Sequence, residues 1–353
     1  MRSRMAGRKP LQCGAVASDP QSQKRTRQAI GAVVLVVIAF AIAMQLRAKR
    51  TQPEELSDPL VSSALPSPAD ASGSSPPAHA LAHYVSALLP KGTRILGLSS
   101  GAGTSIAVGE RGAIFRFEVD HPGWTAEPPV TERTLRAVAQ QLDRAVAVGD
   151  DGTIVELEGG RWSVVPSPTK RTLRAVVHSV YGVVAVGDGG TIVSQLGEGQ
   201  PWRAEPSVAT SDLFGACSGL RDLWVVGAGG AALLRGPEGW KAMPPISNNA
   251  LYAVACDDHA AVAVGAQGTI VQRLDDVGWH ATSSGTAADL FAISAPMGTK
   301  SFLVVGAAGT ILHLTNDVAA EPQSVGWALR ATTEGALGTW VGGDEGLLRR
   351  ATD

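Results

Sequence analysis

Cysteine is scarce in this chain: Cys13, Cys217 and Cys256 are the only three in 353 residues. That count excludes a disulfide framework, and no CxxC pair or Cys/His cluster has zinc-ligand spacing. Aromatic residues make up 5% and charged residues 18%, with a formal net charge of −2, so no overall excess of positive charge points to nucleic acid. There is no G-x-S-x-G and no P-loop, and Tyr84, Tyr181 and Tyr252 are the only tyrosines. Acyl transfer, nucleotide hydrolysis and a tyrosine-based sialidase mechanism therefore lack their usual groups, and the chain reads as non-catalytic. The seven histidines (79, 83, 121, 178, 259, 280 and 313) lack ligand spacing. The acid pairs Asp150/Asp151, Asp257/Asp258 and Asp275/Asp276 fall in separate turns, so neither a metal nor a cofactor is expected. What is abundant is glycine, at 41 residues, within 44% hydrophobic content, which suits a large, turn-rich β core.

Charge of one sign is concentrated at the N-terminus. Residues 1–28 carry Arg2, Arg4, Arg8, Lys9, Lys24, Arg25 and Arg27 against the single acid Asp19, and the apolar run AIGAVVLVVIAFAIAMQL follows over 29–46. This is near the minimum for a membrane-spanning helix. The weaker basic flank Arg47, Lys49 and Arg50 puts the N-terminus in the cytoplasm and the rest in the periplasm or another extracytoplasmic space. The competing reading is a cleaved signal peptide with Ala41 and Ala43 near the cleavage site, and hence a secreted protein. Residues 47–80, rich in Pro, Ser and Ala, read as a flexible tether before a domain over 81–353.

That domain is periodic. Seven apolar markers, Ile95, Leu135, Leu173, Leu213, Leu251, Leu290 and Leu329, recur every 38 to 40 residues, usually with a small residue two positions on. Fourteen residues after the marker stands a glycine (Gly109, Gly149, Gly187, Gly227, Gly265 and Gly343), with Gly306 at sixteen because of an insertion near APMGTK. A second glycine follows three residues later in all seven units, and the G-x-x-G spacing predicts a tight hairpin in which glycine supplies positive φ. Eleven residues before the markers stand Tyr84, Trp124, Trp162, Trp202, Trp240, Trp279 and Val318. Units of this length with four short strands predict an all-β, seven-bladed β-propeller. The last unit has sequence for three strands only, so HYVSALLP (83–90) is expected to supply the fourth and close the ring.

The order L-x-A-V, A-V-G-x-x-G-T-I and a G-G-x-W-like segment resembles the seven-bladed photosystem II assembly and stability factors. More distantly it resembles the Asp-box repeats of bacterial neuraminidases, from which ELEGGRW (156–162), GPEGW (236–240) and DDVGW (275–279) depart. The resemblance covers 83–350 and implies a membrane-associated scaffold that binds other proteins, with no catalytic residue carried over.

One position after each marker stand Leu96, Arg136, Arg174, Phe214, Tyr252, Phe291 and Arg330. With Arg94, Arg133 and Arg171 they divide the ring into a basic arc (blades 7, 1, 2 and 3) and an aromatic arc (blades 4, 5 and 6). Such a surface is suited to docking a protein partner, or alternatively a glycan on the aromatics, whereas the further alternative of a glycoside hydrolase requires at least two carboxylates close together in the funnel. The same repeats offer a structural reading. Glu110, Asp150, Asp188 and Asp344 follow the first turn glycine in the basic blades, where the aromatic blades carry alanine, so each arginine can pair with an acid of its own blade. Cys217 and Cys256 occupy positions five and six of neighbouring innermost strands, which period-two alternation turns to opposite faces, so buried thiols rather than a disulfide are expected. The propeller is expected to be monomeric, joined to the membrane only through its N-terminal helix.

Overall fold

The computed structural model describes residues 84–350, except 88, 91, 102, 220–221, 258–259, 275–277, 296–300, 316–317, 320–322 and 336. The basic segment, membrane helix and tether expected before residue 81 lie outside the described residues. Among the described residues no helix is long and apolar enough to cross a membrane. Seven antiparallel sheets follow one another along the chain. Blade 2 shows the pattern, with strands Leu135–Gln141, Arg144–Gly149, Ile154–Glu158 and Arg161–Val165 meandering from axis to rim. In blade 6 the outer place is shared by Val318–Ala319 and Gln323–Ser324. Blade 7 takes Leu329–Gly335, Gly338–Gly343 and Gly346–Arg350 from the C-terminal end and Tyr84–Ala87 from the N-terminal side. Tyr84 faces Arg350 in the register at which Trp162 faces Leu157, so the ring closes as the periodicity predicts.

Packing between blades explains the composition of the strands. The second strand of each blade has neighbours on both faces and both edges, and residues 145–149 (AVAVG) are all buried. An apolar run without polar alternation is the consequence. The cores lie between sheets: Val148 and Ile154 of blade 2 pack with Leu173, Ala185 and Val193 of blade 3. At the closure, Ile95, Ala107 and Phe115 meet Leu347, and Phe117, Trp124 and Trp340 stack with centroids 5.1–5.8 Å apart. Tilted and edge-on ring pairs of this kind add to simple burial.

Every innermost strand carries a β-bulge at the residue after its marker. Leu135 pairs with Gly149 and Ala137 with Val148, leaving Arg136 as the extra residue, and the same shift occurs in all seven blades. A bulge re-aims one side chain and flips the alternation beyond it. Positions three and five then face the next blade, as Ala137 and Ala139 do, while positions one, four and six face the previous one. The small residue at position three is required sterically: a Cβ on Gly97 would lie 2.9 Å from the Cα of Ala137, and one on Gly215 2.8 Å from that of Ala253.

The G-x-x-G turn holds two different glycines. In six blades it forms a single 3-10 turn, whereas blade 7 turns more tightly from Gly343 to Gly346. Gly152 has φ +70, as a positive-φ role requires. Gly149 is extended, with φ −169, and is glycine for another reason. A Cβ there would lie 1.9 Å from the Thr134 carbonyl oxygen, which comes close because it accepts the Asp150 N–H at 3.0 Å. The expectation of positive φ thus holds for the second glycine and not for the first.

The cysteine expectation is corrected. Cys217 and Cys256 form a disulfide with Cα atoms 5.8 Å apart. The side chains do leave opposite faces of their sheets, but adjacent blades are stacked, so the forward face of blade 4 meets the rear face of blade 5. Positions five and six meet elsewhere too: the Gln140 N–H donates to Ser99 Oγ, and Ser294 bonds Glu334.

Two outcomes follow from this packing. Gly149→Ala is expected to destabilise the propeller by about 3 kcal/mol in chemical denaturation, whereas Gly159→Ala, at φ +56 with nothing within 4 Å, should cost about 1 kcal/mol. Reducing the disulfide, which joins residues 39 apart, should lower stability by about 2–4 kcal/mol, and Cys217→Ser should make denaturation insensitive to reductant.

Candidate functional site

The seven bulges aim their side chains at the axis. Leu96, Arg136, Arg174, Phe214, Tyr252, Phe291 and Arg330, together with Asp212, line a funnel mouth of about 350 Å³. A narrower channel of about 190 Å³ is bordered by the small residues at position three. The structure therefore brings seven residues from seven blades, up to 234 positions apart, onto one surface. Asp212 was not apparent from the repeat. It precedes its marker, and its Oδ1 accepts the Gly189 N–H at 2.7 Å, tying blade 4 to the turn of blade 3.

The arginines are held by carboxylates. Arg136 bonds Asp150 through Nε at 2.5 Å, Arg330 bonds Asp344 at 2.6 Å, and Arg174 bonds Asp188 in the same way. Blade 1 has leucine at the bulge, and its acid is served instead by Arg94, which spans Glu110 at 2.8 Å and Asp344 of blade 7 at 2.7 Å. Farther out, Arg133 pairs with Asp151 at 2.8 Å, and Arg171 donates to the carbonyls of Asp188 and Gly189. The Arg/acid pairing read from the blade correlation is thus formed, and Asp150 has an ion-pair partner. Among the described residues no group of three His, Cys, Asp or Glu side chains is placed to hold a metal.

The aromatic arc completes the circle. Phe214 and Tyr252 have centroids 5.8 Å apart, and Tyr252 and Phe291 5.7 Å, all tilted. Arg174 lies over Phe214 at 5.4 Å and Arg330 over Phe291 at 5.2 Å, so the two arcs join through cation–π contacts. Burial, and then the charge of Asp289, raises the pKa of Tyr252 and keeps its phenol protonated. The ring offers a partner three arginine side chains, each about one-third exposed. It also offers three half-buried apolar faces.

Asp344, behind the mouth, is held well below the usual carboxylate range. Hydrogen bonds from Arg330 and then Arg94 outweigh its desolvation and lower its pKa from 3.8 to about 2. Asp344 and Glu110 in turn raise the pKa of Arg94. A carboxylate lowered in the folded state stabilises above its unfolded pKa and loses that contribution as pH falls through its folded value. Acid titration of stability should therefore show a loss between about pH 4 and pH 2 that Asp344→Asn reduces.

No family model matches this chain, and no curated protein matches it. Solved structures do match. YCF48 bound to D1 peptide superposes with a TM-score of 0.63 at 16% identity, covering 76% of this chain and 97% of that one. YCF48 from Cyanidioschyzon merolae gives 0.61 at 13%, covering 76% and 99%. The WD40 propeller domain of Doa1 gives 0.61 at 12%, covering 76% and 95%. At these identities the likeness is one of fold, and the chain carries a seven-bladed propeller of the arrangement seen in the photosystem II assembly factor YCF48.

Proposed function

We propose that this chain is a membrane-anchored, non-catalytic propeller whose funnel docks a protein partner during assembly of an envelope or membrane complex. The observation that carries the reading is the convergence of Arg136, Arg174 and Arg330 with Phe214, Tyr252 and Phe291 on one concave mouth. Arg and aromatic side chains are the residue types that dominate protein interface energetics. A held arginine suits this role, because pairing fixes its position while its outer donors still meet an incoming carboxylate or carbonyl. A propeller of the same arrangement has been solved with a peptide bound, which supports the same use here. The Cys217–Cys256 disulfide supports an oxidising compartment for the propeller, in keeping with the orientation read from residues 1–50. The non-catalytic reading rests on the lining itself: of its carboxylates only Asp212 is present, and that group is bonded to backbone.

The test is a cross-linking pull-down from native membranes with the full chain and with Arg136→Glu/Arg174→Glu, after circular dichroism has shown the variant folded. One membrane or envelope protein should be captured by the unaltered chain and lost by the variant. Unchanged capture would make those arginines purely structural and move attention to Phe214, Tyr252 and Phe291. Capture of nothing by either protein would favour a glycan on the aromatic arc.

A further inference from the structure

At the end of the propeller away from the funnel, a cavity of about 290 Å³ opens between blades 2 and 3. We propose that it is a socket for a basic side chain, arginine or lysine, presented by a partner protein. The argument starts from Glu156, which lines the cavity and is only 8% exposed. Its Oε1 accepts the Gln195 Nε2–H at 2.9 Å and the Trp202 Nε1–H at 2.7 Å, both neutral donors. Among the described ion pairs it has no cation, although a buried carboxylate normally requires one.

The next interface along shows what is missing. There Glu205 accepts Trp240 Nε1–H at 2.7 Å and also pairs with Arg235, whose guanidinium lies 5.0 Å from the Tyr181 ring and 5.5 Å from the Trp240 ring. Arg235 faces Trp240 across its hairpin, and by the register of blade 3 the residue facing Trp202 is Gln195. The two interfaces share a tryptophan donating to a glutamate of the preceding blade, which follows the outermost strand in the case of Glu205 and lies on the third strand in the case of Glu156. Between blades 2 and 3 glutamine stands in the arginine's place and a cavity adjoins the acid. An external guanidinium or ammonium would restore the missing charge.

The other walls agree with a cationic donor. Nε2 of His178 is buried without a hydrogen-bond partner among the described residues, while the ring bonds the backbone of Ala139. Burial, together with nearby Arg144, keeps this imidazole neutral, so Nε2 offers a lone pair to a donor. The lining holds the three acids Asp143, Glu156 and Glu198 against the single Arg144, which Glu198 already engages at 3.2 Å and Glu158 at 3.6 Å. The surroundings point to a protein rather than a free small cation. Leu142 in the lining is 84% exposed at φ 56, and Val180 and Leu196, each next to a lining residue, are 65% and 66% exposed. Grouped apolar side chains around a polar recess mark interaction surfaces.

The experiment is fluorescence anisotropy on the full chain in detergent, with labelled acetyl-Gly-Leu-Arg-Leu-Gly-amide and its citrulline counterpart, which has the same shape without the charge. The arginine peptide should bind at least about tenfold more tightly than the citrulline peptide, and Glu156→Gln, checked for folding by near-ultraviolet circular dichroism, should abolish the difference. The comparison of peptides on the unaltered protein needs no variant to fold. Equal affinities, or no binding up to about 5 mM peptide, would overturn the proposal. Ethylguanidinium binding as tightly as the peptide would overturn it as well, because the site would then take a small cation without using the apolar rim.

Discussion

One extra residue per blade, the bulge after each marker, governs most of what this propeller presents. It turns a single side chain of each innermost strand towards the axis and so builds the funnel ring from seven positions. It also flips the alternation that follows, which sends positions three and five to the next blade and four and six to the previous one. The tight start of the strand depends on the same geometry, since the carbonyl before the marker must reach the turn N–H and so forbids a side chain at Gly149 and its equivalents.

Around this frame the blades are alike in backbone and unlike in chemistry. Blades 7, 1, 2 and 3 fix arginines with acids, and blades 4, 5 and 6 use packed rings instead. Both devices stiffen the mouth, and both leave surface to a partner. The interfaces between blades differ in the same way: one is stapled by a disulfide, one contains a Glu205–Arg235–Trp240 triad, and one joins a tryptophan to a glutamate of the third strand, with glutamine in the arginine's place. Repetition fixes the scaffold, and departures from the repeat are where binding is proposed.

Legibility in the sequence followed the range of the interaction. The blade number, the closing strand over Tyr84–Ala87 and the Arg/acid pairs could be read directly, because each depends on positions that the repeat spacing aligns from unit to unit. The bulge could not be read, since LRAV alternates no differently from an unbulged strand, and so the faces of Cys217 and Cys256 were known while their meeting was not. Glu156 likewise stood out in the sequence only as the first residue of ELEGGRW. Its burial against Trp202, which follows it by 46 residues, appears only when blade 3 is laid on blade 2.

The sequence by itself determined the seven-fold period, the apolar second strands, the glycine turns and the residue types at the funnel ring, because these arise from local geometry repeated along the chain. Tertiary structure alone decided which faces of neighbouring blades meet, that two distant thiols are joined, that Arg94 serves two acids from different blades, and that one buried glutamate has only neutral donors for partners among the described residues. These outcomes are set by the stacking of separate sheets, whose contacts have no fixed spacing in sequence.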